Sequence, residues 1–355
     1  MITIYRKDGI KMPGYRSISE FGIDVGCMPK GKLDSICDVP GVKVGHSTID
    51  TNVNKTGVTV ILPSEKNSFV YKLPAASVVI NGFGKTLGTI QIDELGLLET
   101  PIALTNTLNV GLIHDALVDY MIERCELEGV ALSSVNPVVA ECNDSHLNNI
   151  IRKAVTREHF REAAGSASKI FLQGDIGAGK GMVCHGLKGG IGSASRVIKY
   201  GNLQYHLGVL VLTNHGRLEN LRINGNSVGR KIAEQITGNE QDKGSCIIIM
   251  ATDLPLDSRQ IKRVLRRSSV GLARLGSYIG NGSGEVAIGF STANSLVWDI
   301  GKPIETIERF NEACIDDVFV AMAESTEEAV LRSMLNSEAT IGYSGEKVHS
   351  LKEFL

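Results

Sequence analysis

Gly244, Ser245 and Cys246 stand directly before the apolar run 247–250 and are the residues that most clearly suggest chemistry. A small residue, then a hydroxyl, then the start of a buried strand is the arrangement expected of a self-cleaving N-terminal nucleophile. A cut before Ser245 would give this residue a free α-amine, which titrates near about 7.7–8.0 and can act as a general base. Glycine on the acyl side would tolerate backbone strain at the cut bond. Cys246 is interpreted as a small buried hydrophobe rather than the nucleophile.

Further polar side chains stand at the ends of apolar stretches. Ser283 and Glu285 are two residues apart and would share one face of a strand, where a carboxylate can orient a hydroxyl. Asn214 ends the apolar stretch 207–213, and a side-chain amide there can donate to an oxyanion. Each also has a plainer interpretation, as a solvated turn or as a turn-forming asparagine.

Glu141 ends the apolar stretch 137–140, where a carboxylate can receive a substrate ammonium or simply begin a helix. A rival site is the glycine-rich segment 174–180, which matches the first seven positions of a phosphate-binding loop. The position that needs a serine or threonine for magnesium holds Gly181, and no helix pattern follows, so a structural turn is the better interpretation.

Composition limits the possible functions. The chain has 355 residues, is 43% apolar and carries a net charge of −2, without a long basic run, so neither nucleic acid nor an anionic membrane is an expected partner. No apolar run reaches the roughly 18 residues of a membrane span, and no signal peptide is recognised. The seven scattered cysteines predict a reducing, cytoplasmic location. His46, His146 and His215 lack metal-ligand spacing, so we expect neither metal nor cofactor.

Strand and helix patterns interleave along the chain, which predicts one α/β domain with two sheets. Residues 1–35 are expected to form an irregular arm, and residues 226–243 an exposed connector that tolerates a chain break. A turn that leads into a short strand is predicted at 38–46. Further strands are predicted at 56–63, 76–80, 102–107, 137–141, 189–195, 207–214, 245–252 and 284–290. Helices are predicted at about 112–126, 145–155, 257–275 and 307–333.

Seven segments taken together are more specific than any single motif; they are 38–46, 56–63, 96–108, 177–179, 188–196, 251–256 and 281–285. In this order, and over nearly the whole chain, they resemble the self-processing aminopeptidase family typified by the L-aminopeptidase/D-amino-acid esterase DmpA, which includes the β-peptidyl aminopeptidases.

The resemblance implies an αββα four-layer sandwich, similar in its layers to N-terminal-nucleophile hydrolases. One domain, 1–355, would cut itself between Gly244 and Ser245 into an α part, 1–244, and a β part, 245–355. Such proteins form tetramers or octamers. They remove N-terminal residues from short peptides, amides or esters, β-peptides among them, without a metal or cofactor.

The resemblance also assigns roles to individual residues. The second serine and the nearby carboxylate fall on Ser283 and Glu285, the oxyanion asparagine on Asn214, and the carboxylate near the substrate amine on Glu141. His146 stands where many members carry a tyrosine, which makes it a candidate substrate contact.

Three questions stay open at the level of sequence. The general base is either the Ser245 amine or a relay through Ser283 and Glu285. An acyltransferase of the ornithine acetyltransferase type would use a similar acyl-enzyme and pass it to an amine. A small-molecule-binding protein without processing is the non-enzymatic alternative.

Overall fold

The computed structural model describes residues 17–236, 244–299 and 301–355. Its strands are β1 (Lys43–Asp50), β2 (Lys55–Leu62), β3 (Leu73–Gly82), β4 (Leu97–Leu98), β5 (Ile102–Asn106), β6 (Val138–Cys142), β7 (Val183–Cys184), β8 (Leu187–Lys188), β9 (Ile191–Tyr200), β10 (Leu203–Asn214), β11 (Ser245–Thr252), β12 (Gly284–Ser291), β13 (Thr340–Ile341) and β14 (Lys347–Val348). Its α-helices are α1 (Thr89–Leu95), α2 (Val110–Leu127), α3 (Arg157–Gly165), α4 (Val228–Ala233), α5 (Ser258–Leu265), α6 (Ser268–Arg274) and α7 (Asp316–Leu335).

Most of these strands form two sheets. The larger sheet has the order β4-β3-β12-β11-β10-β9, and the smaller has the order β1-β2-β5-β6. Pairing is antiparallel except between β11 and β12 and between β5 and β6, which run parallel. The parallel pair β11–β12 matters most for the site, because it places the first residues of both strands at the same sheet edge.

Three apolar clusters show how the sheets and helices stack. The first joins the outer face of the six-stranded sheet to α5, α6 and α7. The second lies between the two sheets, and the third joins the outer face of the four-stranded sheet to α2 and α3. The order is therefore helices, sheet, sheet, helices, which confirms the expected αββα sandwich.

The apolar run 247–250 lies in β11, and its side chains are buried on both faces of the sheet. Ile247 and Ile249 point toward the four-stranded sheet, whereas Ile248 and Met250 point toward the helices. Because both faces are covered, alternation between polar and apolar residues is absent, as expected for a buried strand.

Some sequence-based boundaries are wrong. The segment 145–155 holds only a short 3-10 turn at Ile150–Arg152, and the α-helix follows it as α3. The late helix begins at Asp316 rather than near 307, and the helix predicted at 257–275 is divided into α5 and α6. The capping box of Asp257 and Gln260 is confirmed at the start of α5.

The N-terminal segment was expected to form an irregular arm, but part of it packs into the core. Residues 1–16 lie outside the described residues, but Ile18 and Val25 are buried in the core. The Glu324 carboxylate on α7 accepts hydrogen bonds from the backbone N–H groups of Cys27 and Met28, at 3.0 and 3.2 Å. Of the expected connector 226–243, residues 237–243 lie outside the described part, and the rest includes α4. Within the described ranges, no helix combines the length and hydropathy needed to cross a bilayer.

Candidate active site

Three strand ends meet around Ser245. Asn214 at the end of β10 is the register partner of Ser245 on one side, and Gly284 at the start of β12 is its partner on the other. Ser245 is 5% exposed and Asn214 is 8% exposed, so both side chains lie in a nearly water-excluded position. The structure thus brings two of the sequence-predicted residues together.

The carbonyl oxygen of Gly244 precedes this meeting point. It accepts a hydrogen bond from the backbone N–H of Gly284, with 3.1 Å between the two atoms. A methyl group built on Gly244 would lie 1.6 Å from the Asn214 carbonyl oxygen and 2.8 Å from His215 Cα. An alanine at this position has no room for its Cβ, so glycine is required here by lack of space.

Ser283 and Glu285 are in contact, as their spacing predicts. The Ser283 hydroxyl donates a short hydrogen bond to Glu285 Oε1, and both side chains are fully buried. The two residues flank Gly284, the backbone partner of Ser245. Ser283 therefore directly precedes, and Glu285 directly follows, the residue whose N–H contacts the Gly244 carbonyl oxygen.

Sequence reasoning missed Asn81, which holds the turn that carries Ser283. Its side-chain amide donates to the Gly280 carbonyl oxygen at 3.0 Å, and also to the carbonyl oxygen of Ser283. Asn81 lies on β3 opposite Glu285, next to a β-bulge between Glu285 and Val286. A polar residue at the end of an apolar strand, before Gly82, was the available signal.

The Asn214 side chain is fixed by hydrogen bonds at both ends. Its Nδ2 donates to the Asn143 carbonyl oxygen at 2.8 Å, and its Oδ1 accepts from the Val183 N–H at 2.9 Å. The bond to Asn143 also ties the end of β10 to the segment after β6. Strand β6, which carries Glu141, is also in contact with β11, which begins at Ser245.

Glu141 is 2% exposed, and both of its carboxylate oxygens have partners. Oε1 accepts from the backbone N–H of Lys85 at 2.9 Å, and Oε2 accepts a short hydrogen bond from the Thr107 hydroxyl. These donors fix the carboxylate in one orientation. His146 lies in the turn after β6, where its Nε2 is 3.6 Å from the Glu346 carboxylate.

Comparison with known proteins places this arrangement in a family. Residues 34–348 match the profile of Peptidase family S58. The chain belongs to Peptidase family S58. It is 36% identical over 345 residues to the beta-peptidyl aminopeptidase BapA of Sphingosinicella xenopeptidilytica, a match that covers 90% of this chain and 85% of that protein.

Solved structures agree with this assignment. The PH0078 protein of Pyrococcus horikoshii OT3 is 43% identical with a TM-score of 0.89, covering 95% of this chain and 96% of that chain. The L-aminopeptidase D-Ala-esterase/amidase of Ochrobactrum anthropi is 34% identical with a TM-score of 0.88, covering 94% and 95%. That protein is described as a prototype for the serine aminopeptidases and a new variant of the Ntn hydrolase fold. The S58 chain is accordingly an aminopeptidase, and the acyltransferase alternative is not favoured.

Two other sequence features of this S58 peptidase are explained by ion pairing and burial. Lys180 of the glycine-rich segment pairs with Asp50 and Asp175, each at 2.8 Å, which fits a structural turn rather than a phosphate site. Cys246 is fully buried, and burial raises the pKa of its thiol well above the usual range. A thiol in that state is a poor nucleophile, as the sequence interpretation held.

His215, the residue after Asn214, lies close to Cys184 and His185. The potential metal-ligating atoms of these three residues lie within 4.8 Å of one another. The sequence interpretation weighed His215 without the other two, because Cys184 and His185 are 31 and 30 residues away along the chain. Burial, with a smaller effect of His185, lowers the pKa of His215 to about 3, so its imidazole is neutral at physiological pH. The chemistry proposed below uses none of these three side chains.

Proposed function

We propose that this S58 peptidase cuts its own chain between Gly244 and Ser245, and that the freed Ser245 is the nucleophile of a serine aminopeptidase. The observation that carries the proposal is the hydrogen bond from the Gly284 N–H to the Gly244 carbonyl oxygen, at the start of β11. A donor already in contact with the carbonyl oxygen of the bond to be cut is what oxyanion stabilisation requires.

Self-cleavage then proceeds as an N-to-O acyl shift. The Ser245 hydroxyl oxygen attacks the Gly244 carbonyl carbon, and negative charge develops on the oxygen that Gly284 contacts. The bond between the Gly244 carbonyl carbon and the Ser245 nitrogen breaks, and this nitrogen gains the proton that the hydroxyl loses. An ester now joins the Gly244 carbonyl to the Ser245 side chain. Water hydrolyses this ester, which leaves a Gly244 carboxylate and a Ser245 residue with a free amine and a free hydroxyl.

Turnover repeats the attack on an external carbonyl. Of the two N–H bonds of the Asn214 amide, one is committed to Asn143, and the other is assigned to the substrate oxyanion. Loss of one such donor costs roughly 3–4 kcal/mol of transition-state stabilisation. The Ser245 amine and the Ser283–Glu285 pair are both candidates for the base, and water completes the cycle by hydrolysing the acyl-enzyme.

Glu141 is assigned to the amine of the substrate, which explains preference for a first residue over an internal one. A fixed, buried carboxylate binds an ammonium by a charge-assisted hydrogen bond, whereas an internal residue brings no charge to it. His146 is assigned to the outer part of the substrate, because it lies in the turn that follows the strand carrying Glu141. We propose short peptides, amino-acid amides and esters as substrates, including β-peptides, in view of the names of the relatives.

Two further observations support proposals about the cellular compartment and the oligomeric state of the enzyme. All seven cysteines are free thiols and five of them are buried, which favours a reducing compartment such as the cytoplasm. Large apolar side chains on β3 and α1 are exposed, with Val79 at 59% and Ile90 at 87%, which favours a homo-oligomer. The family resemblance suggests a tetramer or octamer. Sedimentation at micromolar concentration tests the second point.

The experiment for the activity compares the wild-type enzyme with Ser245→Ala on a dipeptide and on its N-acetylated form. We expect the wild type to release the first residue of the free-amine dipeptide only, and Ser245→Ala to remain uncut and inactive on both. Cleavage of the acetylated dipeptide at a similar rate would contradict the role of Glu141, and an active Ser245→Ala would contradict the nucleophile.

A further inference from the structure

The segment from Phe83 to Lys85 runs along the site. At one end it packs on Gly284, since a methyl group built on Gly284 would lie 2.4 Å from the Phe83 carbonyl oxygen. At the other end the Lys85 N–H donates to Glu141 Oε1 at 2.9 Å. The segment therefore joins the partner of the Gly244 carbonyl to the carboxylate assigned to the substrate amine.

A substrate bound as proposed above must lie beside this segment, and the inference rests on that proposed function. Its reacting carbonyl takes the position of the Gly244 carbonyl, next to Gly284. Its amine meets Glu141. The residue between the carbonyl and the amine, which becomes the acyl group, then extends past Phe83 and Lys85.

The Lys85 side chain is exposed and cationic at this position. Its Nζ lies 4.7 Å from the centroid of the Phe83 ring, which is itself 59% exposed. In residues 17–236, 244–299 and 301–355, no acidic side chain forms an ion pair with Lys85, whereas Lys72 pairs with Glu99 and Lys180 with two aspartates. The ammonium of Lys85 is therefore available to a ligand.

We propose that Lys85 is a specificity-determining residue and that it favours substrates whose first residue carries a carboxylate close to its amine. Such residues are aspartate or glutamate in ordinary α linkage, and aspartate in β linkage. In β-linked aspartate the free amine and the free carboxylate are bonded to the same carbon atom. Glu141 binds the ammonium of this residue, and Lys85 binds its carboxylate. The flexible four-carbon stem of lysine lets Nζ reach a group near its own backbone N–H.

Because the Lys85 side chain is exposed, its effect on kcat/KM is expected to be small. An ion pair in contact with water changes an equilibrium by up to about fivefold, and salt weakens it. We therefore expect the wild type to hydrolyse an acidic first residue with a kcat/KM about fivefold above that for the neutral amide of the same shape. The ratio should fall toward one as ionic strength rises.

The test uses two matched substrate pairs and two matched lysine variants. The pairs are aspartyl against asparaginyl p-nitroanilide, and β-aspartyl p-nitroanilide against the same compound with its α-carboxylate converted to a carboxamide. Released p-nitroaniline then reports only the intended bond, which separates α from β linkage. Lys85→Met removes the charge beside Phe83. Lys66→Met is the control, because Lys66 is also exposed and also lies over an aromatic ring, at 4.8 Å from the Tyr71 centroid, on the turn after β2.

We expect the acidic-to-neutral ratio of kcat/KM to fall to about one in Lys85→Met and to keep its wild-type value in Lys66→Met. A wild type that releases neutral residues as fast as acidic ones in both linkages would overturn the inference about Lys85 alone. The same holds for a ratio unchanged in Lys85→Met. Release of neither acidic nor neutral residues would instead overturn the proposed function.

Discussion

The backbone N–H of Gly284 donates to the carbonyl oxygen of Gly244 across 3.1 Å, although the two residues are far apart in the chain. The contact exists because β11 and β12 run parallel and start at the same edge of the sheet, with Ser245 opposite Gly284. An oxyanion formed at Gly244 would strengthen this bond without any movement of the backbone. This contact is the structural basis of the proposed cleavage before Ser245.

Gly244→Ala should slow self-cleavage strongly. The added methyl group would lie 1.6 Å from the Asn214 carbonyl oxygen, so the ends of β10 and β11 would have to separate. The uncut fraction on a denaturing gel, followed over time after synthesis, measures the effect. Gly111→Ala is the control, since nothing lies within 4 Å of the added methyl there, and it should be cut as fast as the wild type. Wild-type cleavage of Gly244→Ala would contradict the steric explanation.

Glu285→Gln should lower kcat by about 10²-fold and change KM little, because proton-transfer groups contribute about that factor or more. The amide keeps the size of the side chain but removes the charge that accepts from Ser283. Steady-state kinetics on a dipeptide measure both constants. Glu126→Gln, at an exposed position of α2, should leave them unchanged. An unaltered kcat in Glu285→Gln would remove the pair from the mechanism.

Asn81→Ala should lower kcat by about tenfold with little change in KM, because two carbonyl oxygens of the Ser283 turn lose a donor. Asn81→Asp should not restore the rate, since a carboxylate cannot donate. Asn294→Ala loses a similar side-chain bond, 2.9 Å to the Glu308 carbonyl oxygen, on a distant loop and should retain wild-type kcat. If Asn81→Asp were as active as the wild type, the positioning role would be wrong.

His215 makes the free energy of unfolding depend on pH. Burial lowers the pKa of the folded-state imidazole from 6.5 to about 3, so between these values the unfolded chain binds a proton that the folded chain does not. Stability from this group is present above pH 6.5 and is lost as the pH falls. Between pH 7 and pH 5 the loss is about 2 kcal/mol.

His215→Phe should remove that share of the pH dependence when the purified enzyme is unfolded by denaturant. The ring contact with His185, at 5.5 Å between centroids, can be retained by phenylalanine. His114→Gln, on the partly exposed side of α2, is the control and should leave the wild-type profile. A His215→Phe protein that loses as much stability as the wild type between pH 7 and pH 5 would contradict the assignment.

The sequence predicts those parts of the site that depend on local periodicity. The apolar run after Ser245 gives β11 from its first residue, and the two-residue spacing of Ser283 and Glu285 gives their contact. It also predicts Asn214 at a strand end, but not that Asn214 would be the register partner of Ser245. Register between strands depends on the packing of whole sheets, which a single sequence does not display.

The features that sequence reasoning missed are long-range ones. The Asn81 amide contacts backbone carbonyls of a distant turn, and no pattern in the sequence encodes such a partner. The grouping of Cys184 with His215 likewise depends on how β7 meets β10. The helix predicted at 145–155 is wrong: this segment holds only the turn at Ile150–Arg152, and the α-helix begins after it at Arg157.

The most direct test of the central claim is the intact mass of the purified enzyme under denaturing conditions. Self-cleavage at the proposed bond predicts two species whose masses match residues 1–244 and 245–355, and a single full-length species for Ser245→Ala. A peptidase that is fully active as one uncut chain, or one that is divided at any other bond, would contradict the account.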